Sequence, residues 1–497
     1  MRQVDKIQEK RSLTDFSINA SQRDSFPALG LRYSERRFLL ALVDFLLLAG
    51  AMVVVLQLRT DLITSPSSLF NNWKWFFTLG VVWFIIAIIF DCYNLARTAS
   101  TTYGVASIAG AGVLTSVIYQ GIPWLTPPVS SRTQFFAFVL LATILLVIWR
   151  FLYAQFFVQP AFQRRTLVVG AGRCGRSLAR ALKAEWARGD ANPFRGTGHI
   201  LVGYVDDDAD LTGQKIEGLP VLGDSKQLVR LVDQLRIDEL VIAITNKRTI
   251  RPDLFEAIMD CREMGMMVKT MNTVYERLTG RVAIEHATQD IELATGQTEA
   301  LFTRFYGVIK RFVDLFGGVI GLLVLLVLMP LVWLGNRFTS PGPLFFRQVR
   351  VGKGGHPFTV IKFRSMIPDA ELVGAVWASQ GDERVTPMGR VLRRTHLDEL
   401  PQVINVLKGE MRLVGPRPER PEFVQDLAKL IPFYRARHST KPGITGWAQI
   451  HQDYGDSIES AKEKLEYDLY YVKKANPLLD ILIILHTISK VFGLRGR

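Results

Sequence analysis

Apolar residues in this chain fall into long runs separated by polar stretches. Residues 1–36 are polar, mixed in charge and rich in Ser, Asn and Gln, and predict a disordered cytoplasmic arm. Four apolar runs follow, at about 38–58, 75–93, 103–121 and 135–153. Each approaches the roughly 20 residues a helix needs to cross a bilayer. They predict a four-helix transmembrane bundle over residues 37–155. The third run is rich in Gly, Ala and Ser, which suits close helix packing. Trp73, Trp75, Trp83, Trp124 and Trp149 lie mostly near run ends, as in an aromatic belt. Arg32, Arg36 and Arg37 precede the bundle, and Arg150, Arg164 and Arg165 follow it. Loop 59–72 carries only Arg59 and loop 122–133 only Arg132, so both ends of the bundle are expected on the cytoplasmic side. Asp44 sits inside the first run. It is either functional, as intramembrane carboxylates often are, or near enough to the end to reach the interface.

The period then changes. Residues 163–295 alternate short apolar strands with helical patterns, which predicts a Rossmann-like, doubly wound α/β domain. Thr166–Val169 is followed by Gly170, Gly172 and Gly175 in GxGxxG spacing and then a helical pattern. Such glycines permit a tight turn and close approach to a pyrophosphate at a helix N-terminus. The acidic residue expected about 20 positions later is not cleanly placed, because Asp206 follows a long interruption at 184–198. Two readings stay open: a nucleotide or nucleotide-sugar sensor, and a structural or regulatory domain that binds nothing.

A fifth apolar run, 312–338, is long enough to cross, yet both flanks are basic. Lys310 and Arg311 precede it, and Arg337, Arg347, Arg350 and Lys353 follow. Pro330 lies inside and cannot donate to the helix ladder. A re-entrant helix broken at Pro330 is therefore expected, with the residues beyond it cytoplasmic. The run 476–493 is short and interrupted, and reads as an interfacial helix or a core helix.

Charge and cysteine usage narrow the chemistry. The net charge of +14 suits anionic lipid or phosphorylated substrates. The long apolar runs argue against nucleic acid. Cys92, Cys174 and Cys261 are far apart, which argues against a disulfide framework or a zinc site.

After the fifth run, Arg and Lys are interleaved with Gly, Pro and apolar residues. Lys362 and Arg364 lie in Lys-Phe-Arg-Ser-Met; Arg393 precedes Asp398 and Glu399; Arg417 stands between two prolines. Proline on both sides limits the backbone of Arg417, and a rigid Arg suits bidentate phosphate recognition. Pro401 suits a first helical turn, so a helix is expected to start near Asp398. Adjacent helical residues diverge, so Asp398 and Glu399 are not an opposed pair. One reads as a nucleophile and the other as an orienting, metal-binding or proton-accepting group. A plain helix N-cap is the competing reading for Asp398.

These blocks resemble the bacterial sugar transferase family, the polyprenyl-phosphate sugar-1-phosphate transferases or monotopic phosphoglycosyl transferases. The resemblance covers about 304–497. It rests on the Pro-interrupted helix, Phe-Phe-Arg-Gln-Val-Arg-Val-Gly, Lys-Phe-Arg-Ser-Met, Leu-Asp-Glu-Leu-Pro-Gln, Asn-Val-Leu-Lys-Gly-Glu-Met, Val-Gly-Pro-Arg-Pro and Lys-Pro-Gly-Ile-Thr-Gly. Four preceding runs and a Rossmann-like domain resemble the large subgroup, which is similar to undecaprenyl-phosphate glucose phosphotransferases and initiates exopolysaccharide or capsule synthesis. The resemblance implies a UDP-sugar donor, with UDP-glucose first, and undecaprenyl phosphate as acceptor. It implies that Asp398 attacks the sugar-bearing phosphorus, expels UMP and holds the phosphosugar. Glu399 would assist as base or metal partner. Lys362, Arg364 and Arg417 would bind phosphate, and Arg393 the lipid phosphate. Mg²⁺ on Asp398, with Glu399 as a second candidate ligand, is the expected cofactor. A homodimer in the bacterial inner membrane, with a monotopic α/β catalytic domain on the cytoplasmic face, is the expected state. Two rivals are a membrane-bound NAD-dependent nucleotide-sugar dehydratase or epimerase, and a non-catalytic assembly scaffold. The first needs a Tyr-x-x-x-Lys pair, but Tyr275 is followed by Thr279 at that spacing.

Overall fold

A computed structural model describes residues 33–57, 71–93, 101–127, 131–156, 164–184, 199–244, 251–284, 300–367, 384–452 and 457–491. The expected arm (1–32 of it) and the interruption at 185–198 lie outside these residues. The chain forms two compact units, Met1–Met271 and Asn272–Arg497. The boundary differs from the expected one near 295–304. Val282 and Ile284 pack on Leu427, Ile431 and Leu465, so the segment after Met271 belongs with the C-terminal residues.

The four apolar runs form helices α1 (Tyr33–Gln57), α2 (Trp73–Ile89), α3 (Thr101–Gln120) and α4 (Arg132–Phe156). By length and apolarity, 37–57 and 132–155 can cross a membrane, whereas Trp73–Ile89 and Gly104–Gln120 are shorter. Leu48, Leu79, Trp83, Ile108, Ala142 and Leu146 make a shared buried core. Asp44 does not reach an interface. It is buried and accepts a 2.8 Å hydrogen bond from Arg150, equally buried, on α4. Arg150 thus belongs inside the bundle rather than to its basic flank, and each charge supplies the partner the other needs in an apolar setting.

The α/β part of this unit is a mixed six-stranded sheet. Its strands are β1 (Arg164–Val169), β2 (His199–Val205), β3 (Lys215–Ile216), β4 (Leu219–Gly223), β5 (Glu239–Ile242) and β6 (Met267–Thr270). Helices α5 (Arg173–Ala184), α6 (Leu228–Gln234) and α7 (Pro252–Glu263) connect them. The order is β3-β4-β2-β1-β5-β6, with only β3 antiparallel to its neighbour. Strand β1 has β2 on one side and β5 on the other. Successive connections therefore reverse beside β1, where sheets of this kind leave a crevice.

The C-terminal unit takes in α8 (Met271–Thr279, from Asn272), and then α9 (Ala300–Thr339), a helix of 40 residues. A hairpin follows, of β7 (Phe345–Val351) and β8 (Pro357–Phe363), then α10 (Pro387–Arg394) and α11 (Val403–Lys408). Strands β9 (Arg412–Val414) and β10 (Gly443–Thr445) pair in parallel around α12 (Pro421–Leu430). Helices α13 (Trp447–His451), α14 (Ile458–Lys474) and α15 (Pro477–Val491) complete it.

Helix α9 is longer than the expected 312–338 and is not broken: Pro330 lies within continuous helix. The proline only withdraws the amide that the carbonyl of Leu326 would have received. One face of α9 lies along the rest of the unit. Gly317, Gly318, Gly321 and Gly335 meet Leu413, Leu407, Val403 and Met388 so closely that a Cβ at any of them would come within 2.6–2.9 Å. Lys310 bonds Asp480 on α15, and Arg311 donates two 2.8 Å hydrogen bonds to the Val406 and Leu407 carbonyls at the end of α11. The other face exposes Phe312, Phe316, Leu323, Val327, Leu331 and Phe338. Contact from Lys310 to Gly335 covers about 38 Å at 1.5 Å per residue.

Candidate active site

Three elements converge on one carboxylate. Strand β8 brings Lys362, a 3₁₀ turn over Leu397–Gln402 brings Glu399, and the Pro416–Arg417–Pro418 segment after β9 brings Arg417. The α-helix starts at Val403, not at Asp398 as expected, because the chain first makes this tighter turn with Pro401 inside it. His396, just before, is left-handed at φ 56° and sets the entry angle. Lys362 Nζ donates to Glu399 Oε1 at 2.7 Å. Arg417 grips the same carboxylate with both terminal nitrogens, at 2.5 Å and 3.0 Å. Burial opposes the charge on Glu399, but Arg417 and Lys362 outweigh it and hold the carboxyl well below the usual range.

The Asp398 carboxylate, next in the chain, has no hydrogen bond or ion pair among the described residues. It caps no helix, since the cap position of its turn is His396. Burial and the neighbouring Glu399 charge raise its pKa, against the pull of Lys362, Arg417 and Arg393. The two carboxylates therefore differ in kind. Glu399 is bonded by two cations, and Asp398 is a carboxylate with no hydrogen bond or ion pair among the described residues. A carboxyl held so far down is a poor proton acceptor near neutrality, so the expected role of Glu399 as a base does not fit.

The remaining sequence candidates divide. Arg393 is near Asp398 and spends its Nε on Ser365 Oγ at 2.9 Å. Arg364 makes structural contacts of its own. Its guanidinium bonds the carbonyl of Pro343 at 2.7 Å and both the hydroxyl and the carbonyl of Ser340. It is buried, and three of its five N–H groups fasten the chain leaving α9. Pro330 is far along α9 and contributes no contact to the site.

What holds Arg417 carried no short motif. Arg437 donates to the Arg417 carbonyl at 2.9 Å, and Arg350 to the Pro418 carbonyl at 3.2 Å. Both arginines lie against Glu419, which Lys464 also bonds, and Arg437 pairs with Asp468 at 2.6 Å. Burial opposes the charge on Glu419, but Lys464 and Arg437 overcome it and bring its pKa to about 2. The folded value is below the ordinary 4.5, so the unfolded chain binds more protons between the two. The stabilisation is complete above the ordinary value and is lost as pH falls towards 2. Glu419→Gln should therefore lower the thermal midpoint at pH 7 and differ less from the parent at pH 3. An equal difference at both pH values would contradict this.

A metal fits only in part. Among the described residues no group of three or more His, Cys, Asp or Glu could hold one. Glu399 has both oxygens committed, so Asp398 alone remains from the expected pair. Mg²⁺ is commonly held by one or two carboxylates together with substrate phosphates, which this arrangement allows.

The Gly170–Gly175 turn lies in the other unit. Gly170 has φ +107°, and a Cβ there would come within 2.8 Å of the Ala243 carbonyl; at Gly175 it would come within 2.1 Å of the Gly170 carbonyl. Gly172 has open space where a Cβ would be. Asp206 directly follows β2, the strand beside β1, so the spacing objection disappears in space. Its carboxylate accepts the Ala171 amide at 2.6 Å.

A family model described as bacterial sugar transferase matches residues 305–494, and one described as a CoA-binding domain matches residues 88–252. The chain is 41% identical over 239 residues to a UDP-N-acetylgalactosamine-undecaprenyl-phosphate N-acetylgalactosaminephosphotransferase of Aeromonas hydrophila, covering 47% of this chain and 55% of that one. It is 34% identical over 317 residues to a UDP-glucose:undecaprenyl-phosphate glucose-1-phosphate transferase of Xanthomonas campestris pv. campestris, covering 61% and 62%. An exopolysaccharide production protein PSS of Rhizobium leguminosarum bv. phaseoli is 39% identical over 187 residues, 36% of this chain and 94% of that one. The chain thus spans 55% and 62% of the first two relatives.

Proposed function

Since the chain belongs to the bacterial sugar transferase family, we propose that it moves a sugar 1-phosphate from a UDP-sugar to undecaprenyl phosphate and releases UMP. The observation that carries this reading is the unpartnered Asp398 carboxylate beside a Lys362–Glu399–Arg417 cluster. An Asp398 oxygen attacks the sugar-bearing phosphorus, the bond to UMP breaks, and the phosphosugar stays on Asp398 as an acyl phosphate. An oxygen of the lipid phosphate then attacks the same phosphorus and frees the carboxylate. Lys362 and Arg417 face the diphosphate, with Glu399 fixing their positions rather than moving a proton. Arg393 steadies the charge on Asp398 and meets the incoming lipid phosphate. Asp398, together with the donor's phosphates, would hold Mg²⁺, which would supply further neutralisation of phosphate charge. The Gly170–Gly175 turn takes no part in these steps.

The membrane reading has support as well. Contact along some 38 Å of α9 exceeds the about 30 Å hydrocarbon core of a bilayer. A helix crossing upright could not keep one soluble domain against its whole length. Its apolar outer face, with the exposed Leu478, Ile481 and Ile488 of α15, suits a unit set into one leaflet, on the cytoplasmic side. Cysteines placed at 305 and 345 should react with a membrane-impermeant reagent from the same side. Labelling from opposite sides would rule out this placement.

The function is tested by supplying the purified full chain in nanodiscs with undecaprenyl phosphate and a panel of UDP-sugars, and measuring UMP. UDP-glucose leads the panel. UDP-N-acetylgalactosamine stands beside it, since relatives are named for both sugars. Absence of UMP with every donor would refute the reading.

A further inference from the structure

Gln402 ends the 3₁₀ turn Leu397–Gln402 that carries Asp398 and Glu399. It is 3% exposed, and its carboxamide has no hydrogen-bond partner among the described residues. A buried amide left in this way forgoes the hydrogen bonds it makes in water. Native folds bury few such groups, so one beside a catalytic turn calls for a reason.

Its place supplies one. A 3₁₀ helix has three residues per turn, so side chains three apart lie one above the other. Gln402 therefore follows Glu399 along the same edge of the turn. It lines a narrow cleft with Arg350, Val360, Lys362, Arg417 and Pro418. The cleft has enclosed room for about one water. A single phosphoryl oxygen has that size; a sugar or a base ring does not.

The other polar groups of the lining are committed to different degrees. Arg417 is bonded to Glu399 through both terminal nitrogens. Arg350 donates to the Gln348 side chain and to the Pro418 carbonyl. Lys362 is less committed. An ammonium has three N–H groups, and among the described residues its hydrogen bond to Glu399 uses one of them. The N–H groups left on Lys362 and those of the Gln402 amide thus line one small cleft. An anionic oxygen, which only accepts, is the complement of such a set. The amide also adds donors without adding charge, so the balance of Lys362 and Arg417 against Glu399 is kept.

We propose that Gln402 and Lys362 together seat one nonbridging oxygen of the donor's diphosphate, with Gln402 donating through Nε2. Gln402 is then a substrate-binding residue of the transfer. The proposal rests on the UDP-sugar assignment above.

Gln402→Met keeps the approximate length and volume of the side chain and removes the carboxamide. In the full chain in nanodiscs, its KM for the UDP-sugar should rise about tenfold or more, the size of one lost hydrogen bond to a charged group. Inhibition by inorganic pyrophosphate should weaken by a similar factor, and the KM for undecaprenyl phosphate should not move. The thermal midpoint should stay at or above that of the parent, because no hydrogen bond within the protein is lost. Gln402→Glu is nearly isosteric and should weaken pyrophosphate inhibition further, since a second carboxylate beside Glu399 repels an anion. Parental KM and parental pyrophosphate inhibition in Gln402→Met overturn the proposal. So does a raised KM with unchanged pyrophosphate inhibition, which would set Gln402 against the sugar or the base. If Gln402→Met fails to fold, Gln402→Glu decides, and parental pyrophosphate inhibition there is equally fatal. UMP release by the parent upholds the donor assignment however the variants behave. Its absence with every donor would overturn that assignment, and this proposal with it.

Discussion

Asp398→Asn is expected to lower UMP release by about 10⁴-fold, the scale seen when a member of a covalent catalytic group is removed. Asn is nearly isosteric, and Asp398 makes no hydrogen bond or ion pair among the described residues, so the fold should be undisturbed. The amide cannot form an acyl phosphate. With donor but no lipid acceptor, the parent protein should release a burst of UMP equal to the enzyme present and retain phosphosugar on the chain. The variant should do neither. Equal release by both would remove Asp398 from the role of nucleophile, whatever else the cluster does.

Arg417→Ala should be costly in two ways at once. The Arg417 and Glu399 side chains are 18% and 12% exposed, so the pair is largely shielded from solvent. Removing one partner of a shielded ion pair costs about 3 kcal/mol or more, because the remaining charge has lost its compensation. Lys362 still contacts Glu399, which places the expected loss at the lower end. Thermal unfolding of the parent and variant should show the drop, and UMP release should fall to near background. Arg417→Lys separates the two effects. It restores a charge but not the two-pronged grip, so stability should recover further than activity. If Arg417→Ala melted with the parent while losing activity, the ion pair would be functional without being structural.

Much of this was legible in the chain, and the limits are instructive. The apolar runs near 38–58 and 135–153 became α1 and α4 almost unchanged, because length and apolarity are local properties. That Asp44 would meet Arg150 was not legible, since 106 residues separate them and only packing of the two helices unites them. Adjacency of Asp398 and Glu399 correctly predicted unequal side chains, but not which one the cations would take. That depends on β8 and on the segment after β9. Arg364 was ambiguous for the same reason. In a cation-rich stretch every arginine looks alike until the acceptors of its donors are known, and those of Arg364 are two carbonyls and the Ser340 hydroxyl. The Arg350–Glu419–Arg437 frame had no signal at all, being assembled from elements far apart in sequence. Asp206 shows the opposite case: far along the chain from the Gly170–Gly175 turn, it lies beside that turn across the sheet and accepts the Ala171 amide.

Helix α9 is more than a tether, because of its glycine face. Val403, Leu407 and Leu413 lie so close to Gly317, Gly318 and Gly321 that the helix is a wall of the enzyme's interior. The same helix turns Phe312, Leu323 and Val327 outward. On the proposed membrane placement, lipid and the interior of the unit are separated by the thickness of a single helix. A soluble version could not be made by cutting the chain after Thr339, since the cut would open the interior to water. Detergents or lipids that fail to cover the outer face would be felt at the Asp398 and Glu399 carboxylates as a loss of order, not merely as a loss of solubility.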